Sequence, residues 1–165
     1  MKIKVIAEIG INHNGEKLKA FNLLQKAYES GCWGVKFQYR SDDFFAINDE
    51  MGSTLIREEL EKSNLDKSWI PELIQKSYEL GIAIGFSFFR VEDLEEFFLK
   101  DMKINFIKIP SAEFRNINLI KEAKKYTDCV MISYGGGEEN EIIKAISDSD
   151  LRETDIAFHC ISNYP

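Results

Sequence analysis

Four ionisable residues interrupt short apolar stretches of this sequence, each near the point where the stretch ends. They are Glu8, Lys36, Lys108 and His159. Removing an unpaired ammonium or carboxylate group from water is costly, so such groups need a partner or a ligand. Two lysines that meet in a pocket poor in water predict an anion site, most simply for a phosphate or a carboxylate. Glu8 could pair with one lysine, orient a hydroxyl group or move a proton.

Neutral polar residues follow two of the same stretches and could bind the same anion. Ser111 follows the apolar stretch at 106–109, which contains Lys108, and Ser133 ends the stretch at 129–133. Ser133 also begins the segment Ser-Tyr-Gly-Gly-Gly. That segment leads into a helical pattern at Glu138, which is typical of a turn that cradles a phosphate before a helix N-terminus. By itself, such a glycine-rich turn is more often an ordinary loop.

The second histidine, His13, lies in the sequence Asn12-His13-Asn14-Gly15. Asn-Gly favours a turn, and a lone histidine in a turn is expected at the surface rather than at a ligand. Two histidines exclude an all-histidine zinc site. The three cysteines form no CxxC pair and no nucleophile–His–Asp pattern is discernible, so acyl transfer has no support.

The elements that must position these residues alternate between strands and helices. Amphipathic stretches predict helices at residues 16–30, 67–80, 91–100 and 138–147, with a further helix capped by Asn116. Six apolar stretches rich in β-branched and aromatic residues predict parallel strands covered on both faces: 3–9, 33–38, 82–87, 106–109, 129–133 and 156–159. This alternation, without hairpin signals, predicts an α/β fold with right-handed crossovers.

Two architectures fit this order of elements, a doubly wound open sheet and a (β/α)8 barrel cut short. No Gly-x-Gly-x-x-Gly motif follows the first strand, which weakens the dinucleotide-binding version of the open sheet. In either architecture the carboxyl ends of the strands form the ligand site. Residues 39–66 insert a long connection after the second strand, which predicts a substrate loop or lid.

Composition narrows the classes of partner and compartment. The chain has 165 residues and a net charge of −7, which argues against nucleic acid and anionic membranes as partners. No apolar run reaches the roughly 18 residues of a membrane span, and the N-terminus lacks a signal-peptide pattern. Three scattered cysteines suit the reducing cytosol, so we expect a cytoplasmic protein.

Taken together, these segments resemble the sialic acid synthase family. The matching stretches are residues 7–15, 34–38, 108–113, 133–135 and 159–165. The resemblance implies a (β/α)8 TIM barrel of which residues 1–165 supply about six β/α units, with the family's C-terminal antifreeze-like domain absent. It also implies condensation of phosphoenolpyruvate with N-acetylmannosamine or a related acetamido sugar, giving a sialic-acid-type nonulosonate and phosphate.

The resemblance further implies roles for individual residues. The implied catalytic residues are Glu8, Lys36, Lys108 and Glu113. The implied substrate-binding residues are Asn12, Gln38, Ser111, Ser133, Gly135, Ser162 and Tyr164. Phe88, Tyr134 and Gly136 depart from the family pattern, which leaves the identity of the sugar open.

The same resemblance implies a divalent metal, Mn2+ or Mg2+, that polarises the sugar aldehyde, with its histidine ligands outside this sequence. It implies a homodimer for the intact family member, and little or no synthase activity for these 165 residues alone. Two alternatives stay open at this point. One is a class I aldolase that forms a Schiff base on Lys108. The other is a degenerate barrel retained as a binding or assembly module.

Overall fold

The computed structural model of the chain describes residues 3–42, 44, 54–99 and 102–161. They fall into two compact units. The first contains residues up to 86 together with 102–104, and the second contains residues 87–101 and those from 105 onward. None of the described helices is long and apolar enough to cross a membrane.

Strands and helices alternate in the first unit. Its elements are β1 (Ile6–Gly10), α1 (Lys17–Glu29), β2 (Gly34–Gln38), α2 (Thr54–Lys62), α3 (Ile70–Leu80) and β3 (Ala83–Ser87), whose last residue belongs to the second unit. Strands β1 and β2 are parallel, with Glu8 directly opposite Lys36. Strand β3 follows β2 in the sheet order.

The second unit repeats the alternation. Its elements are α4 (Val91–Phe98), β4 (Phe106–Ile109), α5 (Ile117–Ala123), β5 (Val130–Tyr134), α6 (Glu139–Asp148) and β6 (Ile156–His159). Strand β5 is parallel to β4 on one side and to β6 on the other. The prediction of an α/β fold with parallel strands is therefore confirmed, whereas a closed eight-stranded barrel stays a prediction.

Local sequence signals explain where the helices begin and end. The Asn116 side chain accepts a hydrogen bond from the backbone N–H of Leu119, which is the predicted cap of α5. Helix α3 ends at Gly81, whose φ of 71° is a conformation that favours glycine. The helix predicted at 67–80 starts instead with a 3-10 turn over Lys67–Trp69. Pro71 lacks the N–H that an α-helix would donate to the Lys67 carbonyl, so that turn closes differently.

Strand coverage differs between the middle and the end of the second unit. All five residues of β5 are buried, as the apolar pattern predicts. The prediction that β6 is covered on both faces is wrong for the described residues, because Ile156 and Phe158 are 39% and 37% exposed. Strand β6 pairs with β5 along one edge, and no described strand lies beyond it. Apolar composition indicates a strand that needs cover but does not say which residues provide it.

Asp155 fixes the segment that leads into β6. Its carboxylate is fully buried and accepts hydrogen bonds from the backbone N–H of Val130 and from the backbone and side chain of Arg152, at 2.9–3.1 Å. Burial acts to raise the pKa of Asp155, but the hydrogen bonds from Arg152 and Val130 outweigh it, and the pKa is lowered. The ionised carboxylate therefore holds the start of β5 and the approach to β6 together.

We predict that Asp155→Asn lowers the free energy of unfolding by about 2 kcal/mol at pH 7, because it removes a buried charge from a hydrogen-bonded pair. Since the pKa of Asp155 is lowered on folding, its stabilising contribution is complete above the unfolded value near 4 and declines as the pH falls further. Urea unfolding at pH 7 and pH 3 measures this, and the gap between the two proteins should shrink in acid. The control is Asp148→Asn on the exposed side of α6, and an equal effect of both substitutions would contradict the prediction.

Candidate functional site

Lys36 and Glu8 form an ion pair across β1 and β2 in the first unit. The Lys36 Nζ atom lies 2.8 Å from Glu8 Oε1, and the exposed fractions of the two side chains are 8% and 58%. Burial lowers the pKa of Lys36, the Glu8 carboxylate opposes that change, and the nearby charge of Arg40 adds to it. The result is a cation largely removed from water beside a carboxylate that solvent can reach.

Gly10 allows Glu8 and Gln38 to approach each other at the carboxyl end of β1. The register of β1 against β2 shifts between Glu8 and Gly10, and Gly10 has a φ of 54°. A Cβ atom on Gly10 would lie 3.1 Å from Glu8 Oε1 and 3.5 Å from Gln38 Nε2. Two predicted site residues thus share the space that the glycine leaves open.

Arg40 is a site residue that the sequence analysis did not identify. It is 5% exposed, and its Nη2 atom donates a hydrogen bond to Gln38 Oε1 at 3.0 Å. Its signal in the sequence is the alternation Lys36, Gln38, Arg40, which continues one face of β2 beyond the predicted end of the strand. Strand prediction by apolar content stops at Gln38, so it does not reach Arg40.

Lys108 and Ser133 form the corresponding contact in the second unit. The Lys108 Nζ atom donates to Ser133 Oγ and to the Ile109 carbonyl oxygen, both at 2.7 Å. The Phe158 ring lies 5.8 Å from the same nitrogen, on the strand that pairs with Ser133. Two oxygen acceptors stabilise the ammonium form, whereas a Schiff-base nucleophile must present a neutral amine. This geometry suits an anion-binding lysine better than the aldolase alternative.

Three further predicted residues lie in the turns after β4 and β5. Ser111 and Glu113 belong to a 3-10 turn after β4, and Glu113 Oε2 accepts a hydrogen bond from Asn116 Nδ2 at 3.3 Å. Gly135 lies after β5, where a Cβ atom would approach the Cys160 carbonyl oxygen to 2.6 Å. Only a glycine permits that close approach of two backbones.

The N-terminus of α6 differs from the predicted phosphate cradle. Glu138 caps the helix with its own side chain, and Glu141 Oε2 accepts a hydrogen bond from the Glu138 N–H at 3.0 Å. The same Glu141 carboxylate lies 2.7 Å from Arg115 Nη2, so this helix end already carries an ion pair of its own. Glycine content alone could not show this, because the capping residues follow the turn.

His13 lies in the interior, so the expectation of a surface position is wrong. It is fully buried between the rings of Phe37 and Trp69, each with its centroid 6.3 Å away, and its Nδ1 accepts the Gly15 N–H at 3.1 Å. Burial lowers the pKa of His13, and the charge of Lys19 lowers it further. The Asn-Gly turn is present as predicted, but tertiary packing covers it.

Several predictions receive no contact that would assign a role. Asn12 donates its side-chain amide to the Ile9 carbonyl at 2.9 Å, which stabilises the turn, and His159 is exposed at the end of β6. Ser162 and Tyr164 lie outside the described residues. The described part of the chain contains no group of three His, Cys, Asp or Glu side chains that could hold a metal ion, so we derive no step through one. The implied Mn2+ or Mg2+ stays a prediction.

Comparison with known proteins identifies a family. Residues 23–165 match the model of the NeuB family. N,N'-diacetyllegionaminic acid synthase of Campylobacter jejuni is 28% identical over 182 residues, which cover 99% of this chain and 53% of that protein. N-acetylneuraminate-9-phosphate synthase of Drosophila melanogaster is 30% identical over 176 residues, which cover 99% of this chain and 46% of that protein. The chain thus spans about half the length of the curated relatives it matches.

A solved structure gives the same result for the fold. The N-acetylneuraminic acid synthetase of Leptospira borgpetersenii, in complex with citrate, superposes with a TM-score of 0.83 and 26% sequence identity. The match covers 100% of this chain and 56% of the Leptospira chain.

We predict that Lys36→Met leaves the free energy of unfolding unchanged or raises it by up to about 1 kcal/mol at pH 7. A methionine fills the same apolar space without the cost of burying a charge, and the exposed Glu8 carboxylate returns to water. The pKa of Lys36 is lowered on folding. The wild type should therefore become more stable relative to the variant as the pH rises from that lowered pKa towards about 10.4, the pKa of lysine in the unfolded chain. Urea unfolding at pH 7 and pH 10 tests both statements. Lys26→Met on the exposed side of α1 is the control, and a loss above about 2 kcal/mol in Lys36→Met would contradict the first statement.

Proposed function

Because this chain belongs to the NeuB family, we propose that it binds phosphoenolpyruvate as part of the catalytic domain of a nonulosonate synthase. The observation that carries the proposal is the pair of lysines, Lys36 and Lys108, each held by an oxygen partner from a neighbouring parallel strand. Lys36 is buried and Lys108 is half-buried. In such surroundings an ammonium group binds an anion more strongly than it does in bulk solvent. Phosphoenolpyruvate carries a phosphate and a carboxylate, and either is an anionic group that such a lysine can bind.

The proposed reaction condenses phosphoenolpyruvate with an acetamido sugar. The enol carbon attacks the aldehyde carbon of the open-chain sugar and forms a carbon–carbon bond, and the aldehyde oxygen takes up a proton. Water adds to the resulting oxocarbenium carbon, and phosphate leaves with cleavage of its carbon–oxygen bond. Catalysis then depends on orientation and on stabilisation of charge rather than on a covalent enzyme intermediate.

The described contacts suggest how residues divide this work. Lys108 can exchange its hydrogen bond to the Ser133 hydroxyl for a hydrogen bond to the substrate. The Ser133 O–H can then donate a hydrogen bond to the same anion. Glu8 is exposed and ionisable, so it can orient a sugar hydroxyl group or move a proton, and as a carboxylate it stabilises the charge of Lys36. Glu113, held by Asn116, is the second carboxylate of the proposal.

The proposal extends to properties of the intact family member. It includes a divalent Mn2+ or Mg2+ ion, which would act as a Lewis acid on the sugar aldehyde, a homodimer, and a cytoplasmic location. It also includes the statement that the 165 residues alone have little or no synthase activity. The acetamido sugar is N-acetylmannosamine or a relative of it.

Calorimetric titration with phosphoenolpyruvate tests the binding step directly. We expect the chain to bind phosphoenolpyruvate, and Lys36→Ala or Lys108→Ala to weaken that affinity by at least about tenfold, since each removes a charged hydrogen-bond donor. Lys121→Ala, at an exposed position of α5, should leave affinity within about twofold. Absence of binding by the wild-type chain, or equal loss in all three variants, would overturn the proposal. The first result is also what a degenerate barrel predicts.

Product formation tests the statement about activity. The chain is incubated with phosphoenolpyruvate, N-acetylmannosamine and Mn2+, and released phosphate and nonulosonate are measured. We expect no turnover above that of a heat-denatured sample, and clear turnover by these residues would show the statement to be wrong.

A further inference from the structure

We propose that Arg40 is a positioning residue that fixes the Gln38 carboxamide, so that Gln38 and Glu8 together bind one hydroxyl or acetamido group of the acceptor sugar. This inference rests on the proposed function and adds to it a residue and a mode of recognition. It concerns described residues of the first unit only.

The orientation of Gln38 is the first step. A carboxamide has an acceptor oxygen and a donor nitrogen, and rotation by half a turn exchanges them. Arg40 Nη2 donates to Gln38 Oε1 at 3.0 Å, and a guanidinium group has donors only. The contact is therefore favourable in one orientation of the amide and unfavourable in the other, where two donors would meet. Arg40 therefore favours the orientation in which the NH2 group of Gln38 lies on the side away from the guanidinium group.

Gly10 shows where that NH2 side lies. The position that a Cβ atom of Gly10 would take is 3.5 Å from Gln38 Nε2 and 3.1 Å from Glu8 Oε1. A donor and an acceptor, the latter an oxygen of the exposed Glu8 carboxylate, thus lie close to the same backbone position. A hydroxyl or an amide group both donates and accepts, so it satisfies this pair, whereas a carboxylate or phosphate has no proton for Glu8.

Burial makes the arrangement rigid. Arg40 is almost completely buried, its Cζ atom lies 5.4 Å from the Phe44 ring centre, and its backbone carbonyl accepts Asn64 Nδ2 at 3.1 Å. Lys36, Gln38 and Arg40 occupy alternate positions and share one face of the chain. The same face therefore carries a cation for the enol substrate and an oriented amide for the sugar, and a preorganised amide loses less freedom on binding.

The experiment uses the 165-residue chain labelled with 15N, and follows the side-chain NH2 signals of Gln38. In the wild type saturated with phosphoenolpyruvate, we expect N-acetylmannosamine or a 2,4-diacetamido hexose to shift these signals. Arg40→Met should bring the free Gln38 NH2 signals towards random-coil positions and weaken sugar affinity by about tenfold, the worth of one oriented hydrogen bond. Phosphoenolpyruvate affinity should change by less than about threefold. Arg57→Met is the matched control, since Arg57 pairs with Glu61 on α2, and it should change none of these quantities.

Gln38→Glu keeps an acceptor for Arg40 but removes the NH2 donor, so it tests the inference if Arg40→Met does not fold. We expect it to retain dispersed backbone amide signals and to weaken sugar affinity at least tenfold, several times more than it weakens phosphoenolpyruvate affinity. Unchanged sugar affinity in either folded variant, or Gln38 signals that respond to neither sugar, would overturn the inference. If phosphoenolpyruvate binds normally in these cases, the proposed function stands without the inference about Arg40. Failure of the wild type to bind phosphoenolpyruvate would overturn both.

Discussion

Removal of the Lys36 ammonium group from water, offset by the Glu8 carboxylate, is the constraint on which the first unit's site depends. The lysine belongs to a strand whose other members, apart from Gln38, are apolar, and Glu8 on the parallel neighbour lies 2.8 Å from its nitrogen. Because burial lowers the pKa of Lys36 while Glu8 opposes that change, the balance is sensitive to any added anion. A substrate with negative charge would improve the environment of this cation, which is why the arrangement suits binding better than stability.

In the second unit, the contacts described for the Lys108 ammonium group are with neutral partners. Lys108 donates to a hydroxyl and to a backbone carbonyl, and the Phe158 ring lies near its nitrogen. A hydroxyl exchanges partners at little cost, so this contact can give way to a contact with a ligand. One lysine with a carboxylate and one with a hydroxyl give the two units different electrostatic character.

Neighbouring residues set the direction of the reactive groups. Gly10 leaves room for Glu8 and Gln38 where any side chain would intrude, and Asn116 serves both as the cap of α5 and as a donor to Glu113. Such residues have no reactive chemistry of their own, and their effect is to restrict the orientations of the residues that do. At the N-terminus of α6, Glu141 accepts the Glu138 N–H and pairs with Arg115, so groups of the chain itself occupy a helix end that follows a glycine-rich turn.

The sequence by itself determined the order of strands and helices, the α/β class and the polar residues at the strand ends, because apolar periodicity and capping are local properties. Asn116 at its cap and Lys36 near the end of its strand are examples, and the family motifs predicted the same residues. Tertiary structure alone decided that His13 is buried, that β6 is exposed among the described residues, and that Arg40 holds Gln38. Each of these depends on what packs against a residue from elsewhere in the chain. A single sequence read by periodicity carries no information about such distant neighbours, so the fold had to supply it.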